Sequence, residues 1–382
     1  MRFKPLRALL LLILLIGAGS LLALAAYTAN GRELVSLGYL DKTFLPQAVA
    51  EGETVLQSQE DRVYESAKTK LDALNKTYDF RLEAEGGTLS SSSSLDGLRY
   101  KNADTITVGT GASFLLLAGD ASLAFPAGCV VDATAGQPLA SGGALQSQHR
   151  YVVAEQTLAQ ITITSDTAVL ALDGSYSLTP SNSTDYNMLA DAMKAMGLFK
   201  GSDTGYGLGY DLEKAPTRIQ GLIMFLRLLG EEEAALSSSL PCTFADVPAW
   251  CQSYVSYAFE KGYTKGISST EFGPSLEIRA TEYMTFVLRA LGYSDSGESA
   301  DFAWDTALAK ALQTGVINAR EHKQLTEQPF LRAQAVYVSY YALDARLKST
   351  GGTLYAALIH SGALDKDAAD SARNQVTTAR MR

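Results

Sequence analysis

Gly262-Tyr-Thr-Lys-Gly266, then Arg279-Ala-Thr-Glu282, then Arg289-Ala-Leu-Gly292: this succession decides the fold, because the chain contains it more than once. Upstream, Gly197-Leu-Phe-Lys-Gly201, Thr217-Arg-Ile-Gln220 and Arg227-Leu-Leu-Gly230 fill the same slots. In both copies the four-residue motif begins thirteen residues before the closing glycine. A weaker third copy carries Gly315-Val-Ile and Leu331-Arg-Ala-Gln334, with Asp344 in place of that glycine. Similarity at a fixed period means units that bury their apolar faces against each other, so the array folds and a single unit does not.

Around these motifs the apolar residues follow a helical period. Leu189, Met193 and Met196 face one way, as do Ile219, Leu222, Ile223, Leu226 and Leu229. Trp250, Tyr254, Tyr257 and Ala258, then Met284, Val287, Leu288 and Leu291, repeat the plan, and Leu308, Leu312, Val336, Tyr340, Leu343 and Leu347 repeat it again. Each unit reads as helix, glycine-bearing loop, helix. The three units span about 186–236, 242–293 and 300–348, within a helical domain at 186–348. A tail, 349–382, has a short apolar stretch and then a polar end expected to fray.

Residues 86–180 have a different texture: sparse charge, and short apolar or β-branched runs broken by Gly, Ser and Asp. Strands are expected at Thr105–Val108, Ser113–Leu117, Cys129–Val131, Tyr151–Ala154, Gln160–Thr164, Ala168–Leu172 and Ser175–Leu178, with a turn at Asp173-Gly174. Such spacing suits a small all-β sandwich or barrel-like domain. Before it, residues 46–85 read as an amphipathic helical stalk with Leu56, Val63, Ala67, Leu71, Leu74 and Tyr78 on a narrow stripe. The stripe at 46–84 either self-associates or rests on the β domain. The serine run Ser90–Ser94 reads as a connector, because no glycine elbow or partner histidine accompanies it.

At the N-terminus, Arg2, Lys4 and Arg7 precede an uncharged run from Ala8 to Ala26. As a helix that run reaches about 28 Å, close to the thickness of a bilayer core. Segment 1–28 is therefore read as a transmembrane signal-anchor, with a cleavable signal peptide as the rival because Ala23-Leu-Ala25 resembles a cleavage site. Both readings export the rest of the chain, and the first adds a membrane partner at residues 8–26. The chain has 382 residues and a net charge of −9, which excludes bulk affinity for nucleic acid. Cys129, Cys242 and Cys251 lack metal-site spacing. Cys242 and Cys251 bracket one loop, and pair if the compartment oxidises them; otherwise they are inert thiols. No catalytic constellation, metal site or cofactor motif stands out, and His149 beside Arg150 reads as structural.

The repeated motifs, together with the lead-in segments Phe244-Ala-Asp-Val-Pro-Ala-Trp250 and Phe302-Ala-Trp304, resemble the S-layer homology (SLH) domain over about 186–345. The resemblance implies an all-α, three-repeat, pseudo-threefold prism. It also implies non-covalent binding of an anionic, often pyruvylated, secondary cell-wall polysaccharide by an exported bacterial envelope protein at the cell surface, without enzymatic activity. In that family the arginine of the threonine–arginine–alanine–glutamate motif meets the ligand carboxylate. Here its slot holds Arg218 and Arg332, but Ala280 in the second repeat, where Arg279 stands one place earlier.

The residues support the same reading. Thr217 and Gln220 suit a capping box, whose helix start offers N–H groups and the positive dipole end to an anion. An arginine in the first turn adds a planar fork for a carboxylate. One residue's shift rotates a side chain by about 100°, so the second groove is lost or served from another angle. Gly201 and Gly266 are expected at tight turns or near a ligand. Asp246 is a cap or a hydroxyl acceptor; Trp250 and Trp304 are packing residues or sugar platforms. Lys200 and Lys265 add positive field, whereas Arg227 and Arg289 sit at helix C-termini. The alternative function is a degenerate SLH fold that joins proteins through Tyr254, Tyr257, Tyr337, Tyr340 and Tyr341. The whole chain is thus expected to be multidomain: transmembrane helix, stalk, β domain, then SLH-type domain.

Overall fold

The structure, a computed structural model, describes residues 40–44, 46, 47, 49, 50, 62, 88–92, 97–201 and 206–381. Strands β1 (Thr88–Ser92), β2 (Leu98–Lys101), β3 (Thr105–Gly109), β4 (Ser113–Ala118), β5 (Ala121–Ala124), β6 (Cys129–Asp132), β7 (Gln137–Leu139), β8 (Gly143–Ala144), β9 (Arg150–Ala154), β10 (Leu158–Ile163) and β11 (Thr167–Thr179) come first. They pair antiparallel in the order β7-β6-β9-β4-β11-β3-β10-β5-β8, with β1 and β2 also on β11. Strict alternation explains the layering. Ile106 and Val108, Tyr151 and Val153, and Ala159, Ile161 and Ile163 all point into one core.

The spine of this sheet is β11. Its first half pairs with β2 and β4, and its second half with β1 and β3. The two strands expected at 168–172 and 175–178 are therefore one. The Asp173-Gly174 pair does not reverse the chain. Gly174 takes a positive φ of 99°, and an added Cβ would lie 3.1 Å from the Ala112 Cα, so glycine lets the strand pass from one set of partners to the other.

The helices are α1 (Tyr186–Ala195), α2 (Arg218–Leu228), α3 (Glu232–Leu236), α4 (Gln252–Glu260), α5 (Ala280–Ala290), α6 (Ala307–Gln313), α7 (Ala319–Glu327), α8 (Arg332–Ala342), α9 (Leu354–His360) and α10 (Lys366–Asn374). The repeat pairs are α1 with α2, α4 with α5, and α6 with α8. One continuous core joins all three, as a repeat array requires. Every residue of α8 is buried, which places it at the centre; Tyr337 on it lies 5.7 Å, ring to ring, from Tyr186 on α1.

The expected architecture needs three corrections. No helix among the described residues is long and apolar enough to cross a membrane, so a spanning helix is withdrawn from the fold. Segment 1–28 lies outside the described residues, as does 46–85 apart from isolated positions. Second, the β sheet and the helices, expected as successive domains, share one compact unit, Asn75–Arg382. Ser181 N–H donates to Asp104 Oδ1 at 2.8 Å, Asn187 Nδ2 to the Tyr100 carbonyl at 3.1 Å, and Arg99 pairs with Asp191 at 2.9 Å.

Third, the segment expected to fray is docked. It forms α9 and α10 and then runs back to the third repeat, where Arg380 forks onto Glu321 at 2.6 and 2.7 Å. Glu321 is almost fully buried and also accepts from the Tyr337 hydroxyl at 2.7 Å. The polar tail stays down because its Arg380 supplies the cation for a buried carboxylate of the third repeat.

Candidate functional site

Three equivalent helix starts face the boundaries between repeats, at α2, α5 and α8. At α2 the capping box is complete: Thr217 Oγ1 accepts from Gln220 N–H at 3.4 Å, and Gln220 Oε1 accepts from Thr217 N–H at 3.0 Å. Arg279 and Leu331 have no acceptor atom, so α5 and α8 keep half the box. Glu282 and Gln334 accept from the cap N–H, each at 2.9 Å. The next two N–H groups separate the starts. In α2, Arg218 and Ile219 donate to the carbonyls of Leu276 and Pro274 at 2.7 and 3.2 Å. In α8, Arg332 and Ala333 donate to Lys214 and Leu212 at 2.9 and 3.1 Å. In α5, the N–H groups of Ala280 and Thr281 have no partner among the described residues.

The arginines divide the same way. Arg218 is only 8% exposed; its Nη1 meets Glu282 Oε1 at 3.0 Å, its plane lies 5.2 Å over the Phe272 ring, and Nε has no acceptor. Burial lowers its pKa, against the pull of Glu282. Arg332, 6% exposed, donates from Nε to the Tyr210 carbonyl at 2.9 Å and lies 5.6 Å over Phe199. Arg279 instead stands outside: its side chain is 65% exposed and lies 5.2 Å over the indole of Trp304, itself 51% exposed. The one-residue shift moves the second repeat's guanidinium from the interior to the surface, onto an aromatic face of the third repeat.

With this geometry in view, comparison with known proteins is specific. Residues 244–279 match the S-layer homology domain. The chain carries an S-layer homology domain. It is 31% identical over 113 residues to a cell surface protein of Thermoanaerobacter kivui, covering 28% of this chain and 14% of that one. It is 28% identical over 132 residues to the middle cell wall protein of Brevibacillus brevis, covering 34% and 12%. With the surface layer protein of Brevibacillus choshinensis it shares 27% identity over 175 residues, 42% of this chain and 15% of that protein. The chain thus spans about one seventh of these relatives' length.

The other S-layer homology motif residues take structural positions. Lys200 and Arg227 converge on Glu232, at 2.6 and 2.8 Å. Lys265 and Arg289 converge on Asp295 in the same way, Lys265 at 2.9 Å. Burial pushes the Asp295 carboxyl up, and hydrogen bonds from Arg289 and Lys265 outweigh it, down to about 2. In the third repeat Asp344, in the glycine slot, accepts on both oxygens from Arg373 Nη2 of α10 at 2.8 and 2.9 Å. Asp246 accepts from the N–H groups of Phe272 and Gly273 at 2.8 and 2.7 Å, which ties the lead-in segment to the loop. Gly266 has φ +73°, and an added Cβ would strike the Phe244 ring and the Glu271 carbonyl; at Gly201 it would lie 2.8 Å from the Gly209 carbonyl. Trp250 is 63% exposed in the short helical turn ahead of α4, and Trp304 stands in the turn ahead of α6.

Sequence reasoning missed several partners. Glu282 is named by the motif, but its role as the Arg218 counter-ion needs the neighbouring repeat. Gln334, the third residue of α8, donates to Asp166 Oδ2 of the β sheet at 2.6 Å, so a carboxylate from another part of the chain rests on that helix start. The tyrosines expected to offer a protein-binding face are interior: Tyr254, Tyr337, Tyr340 and Tyr341 are buried, and Tyr257 is half-buried and donates to Glu231. Cys129, Cys242 and Cys251 are free thiols, and burial raises Cys251 to about 11. In the β sheet, His149 Nδ1 meets Asp132 Oδ2 at 2.7 Å, while Asp132 also caps the turn at Thr134 and Ala135.

Proposed function

We propose that the chain attaches non-covalently to an anionic, carboxylate-bearing polysaccharide of the bacterial cell wall, and that the start of α5 is its main contact. The observation that carries this reading is the pair of N–H groups at Ala280 and Thr281 without a partner among the described residues, set beside the exposed Arg279–Trp304 stack. A sugar carboxylate accepts from the two N–H groups at the positive end of the helix dipole, and the Arg279 guanidinium closes on it. Trp304, and Trp250 on the neighbouring repeat, offer flat faces to pyranose rings. Arg218 and Arg332, committed to Glu282 and Tyr210, hold the helix starts in register, with Thr217, Gln220, Asp246, Gly201 and Gly266 shaping the loops around them. Each charge-assisted contact contributes about 1.5–3 kcal/mol, so retention on a wall depends on several contacts along one polymer.

The role is one of attachment and not of catalysis. The test is co-sedimentation of the full chain with cell-wall sacculi before and after the secondary polymer is extracted. Binding that depends on the polymer, and drops at least tenfold in Arg279→Ala and Trp304→Ala, supports the reading; binding that survives complete extraction sinks it. A protein-joining role has one observation in its favour: Ile267 and Leu276 are both about half exposed, beside Gly273. Polymer-independent retention lost on Leu276→Glu is its signature.

A further inference from the structure

Between the β sheet and the third repeat lies a cleft of about 830 Å³, separate from the α5 start. Its walls are the turn at Asn102, the segment around Asn182, helix α7 and the last residues of the chain. That volume falls within the range of small-ligand sites, roughly 300–1,000 Å³, and most of the residues that line it carry polar or charged side chains.

Its polar groups are held in place yet incompletely used. Asp166, in the wall, accepts on Oδ2 from Gln334 Nε2 at 2.6 Å and from Gln324 Nε2 at 3.5 Å, while Oδ1 has no donor among the described residues. The same Gln324 amide donates to the Tyr186 hydroxyl at 2.9 Å, which locks both. Asn102 spends Nδ2 on the carbonyls of Thr164 and Ser165, at 3.0 and 3.2 Å, and leaves Oδ1 as an acceptor. Asn182, exposed, has its whole side-chain amide to offer. Lys323 stands at the rim with Glu327 4.0 Å away.

Acceptors and donors therefore share one concave surface. A hydroxyl donates once and accepts at two lone pairs, so neighbouring hydroxyls on a ring satisfy such a wall. An apolar ligand would strand these groups. Carboxylates (Asp166, Glu327) and cations (Arg320, Lys323, Arg380) line it together, so neither sign of charge on a ligand is favoured throughout. We propose that this cleft binds a saccharide unit through its hydroxyl groups, as a second sugar site that does not depend on the α5 start.

The experiment is saturation-transfer NMR and titration calorimetry on the full chain, with the N-acetylglucosamine disaccharide and maltose as probes and a short polyglutamate peptide as the contrasting class. The expected result is transfer to at least one sugar and none to the peptide. Affinity should fall at least tenfold in Asn182→Trp, which fills the cleft from an exposed segment, and in Asp166→Asn, while Arg279→Ala leaves it unchanged. A polymer with the same hydroxyls, free of acidic substituents, should compete with the disaccharide. Absence of transfer to both sugars, binding of the peptide alone, or sugar binding unaltered in a folded Asn182→Trp protein overturns the proposal. Because both variants lie away from α5, their outcome is read independently of wall sedimentation.

Discussion

Two arginines one residue apart in register have opposite fates. Arg218 lies inside the boundary between repeats with Glu282, and Arg279 lies outside on Trp304. Removing the first takes the buried cation from Glu282 and empties a packed boundary; removing the second takes only its exposed cation, 3.4 Å away, and leaves the buried pair in place. Arg218→Ala is accordingly expected to cost about 2–4 kcal/mol of stability, and Arg279→Ala less than about 0.5. Urea denaturation of both variants measures the difference, and equal losses would show that burial does not distinguish them. Gly266 is constrained in another way, by a positive φ and by a ring and a carbonyl where a Cβ would go. Gly266→Ala should cost about 2 kcal/mol or more, visible as a lower melting temperature. The sequence names all of these residues by slot. It does not say which side of the helix faces the neighbour, because that depends on how two repeats dock and not on the spacing within either.

At the scale of the element, the repeated lysine and arginine act as one clamp that closes each helix pair on a carboxylate, Glu232 or Asp295. For Asp295 the folded pKa is about 2, against 3.8 for the unconstrained group. A depressed carboxylate pKa contributes stability that is fully present above the unfolded value and is lost as pH falls through the folded one. The clamp should therefore weaken between about pH 4 and pH 2, by about 2 kcal/mol. Asp295→Asn should flatten that part of the stability–pH profile measured by denaturation, and a profile as steep as that of the parent protein would assign the acid loss elsewhere. The strands at 105–109, 129–132 and 150–154 are legible from alternation alone, as are the helices that carry the motifs. The turn signal at Asp173-Gly174 misleads, because a glycine that permits a reversal equally permits a strand to change partners. Helix α7 inside the third repeat carries none of the repeat motifs; Asn318 and Glu321 form a capping box that starts it, and packing beneath the returning tail fixes its place.

Across the whole molecule, the β sheet and the helical array are joined by Asp166–Gln334, Arg99–Asp191 and the docked Ser181 segment, and the tail is fastened by Arg380–Glu321. Calorimetry of the full chain should then show the two parts unfolding in one cooperative transition; two well-separated transitions would mean that these contacts do not couple them. Arg380→Ala leaves the buried Glu321 without its cation and should cost about 2–3 kcal/mol. Chemical denaturation reads this directly, and an unchanged midpoint would leave the tail without a part in stability. The repeats, the helical period, the strand alternation and the family were determined by the sequence itself, because spacing along a chain records local geometry and the faces each element must bury. Which arginine is reachable, which helix start is left open, and whether sheet and helices are separate were decided only in the tertiary structure. Those properties arise from contacts between residues as far apart as Asp166 and Gln334, and no local pattern encodes such a pairing.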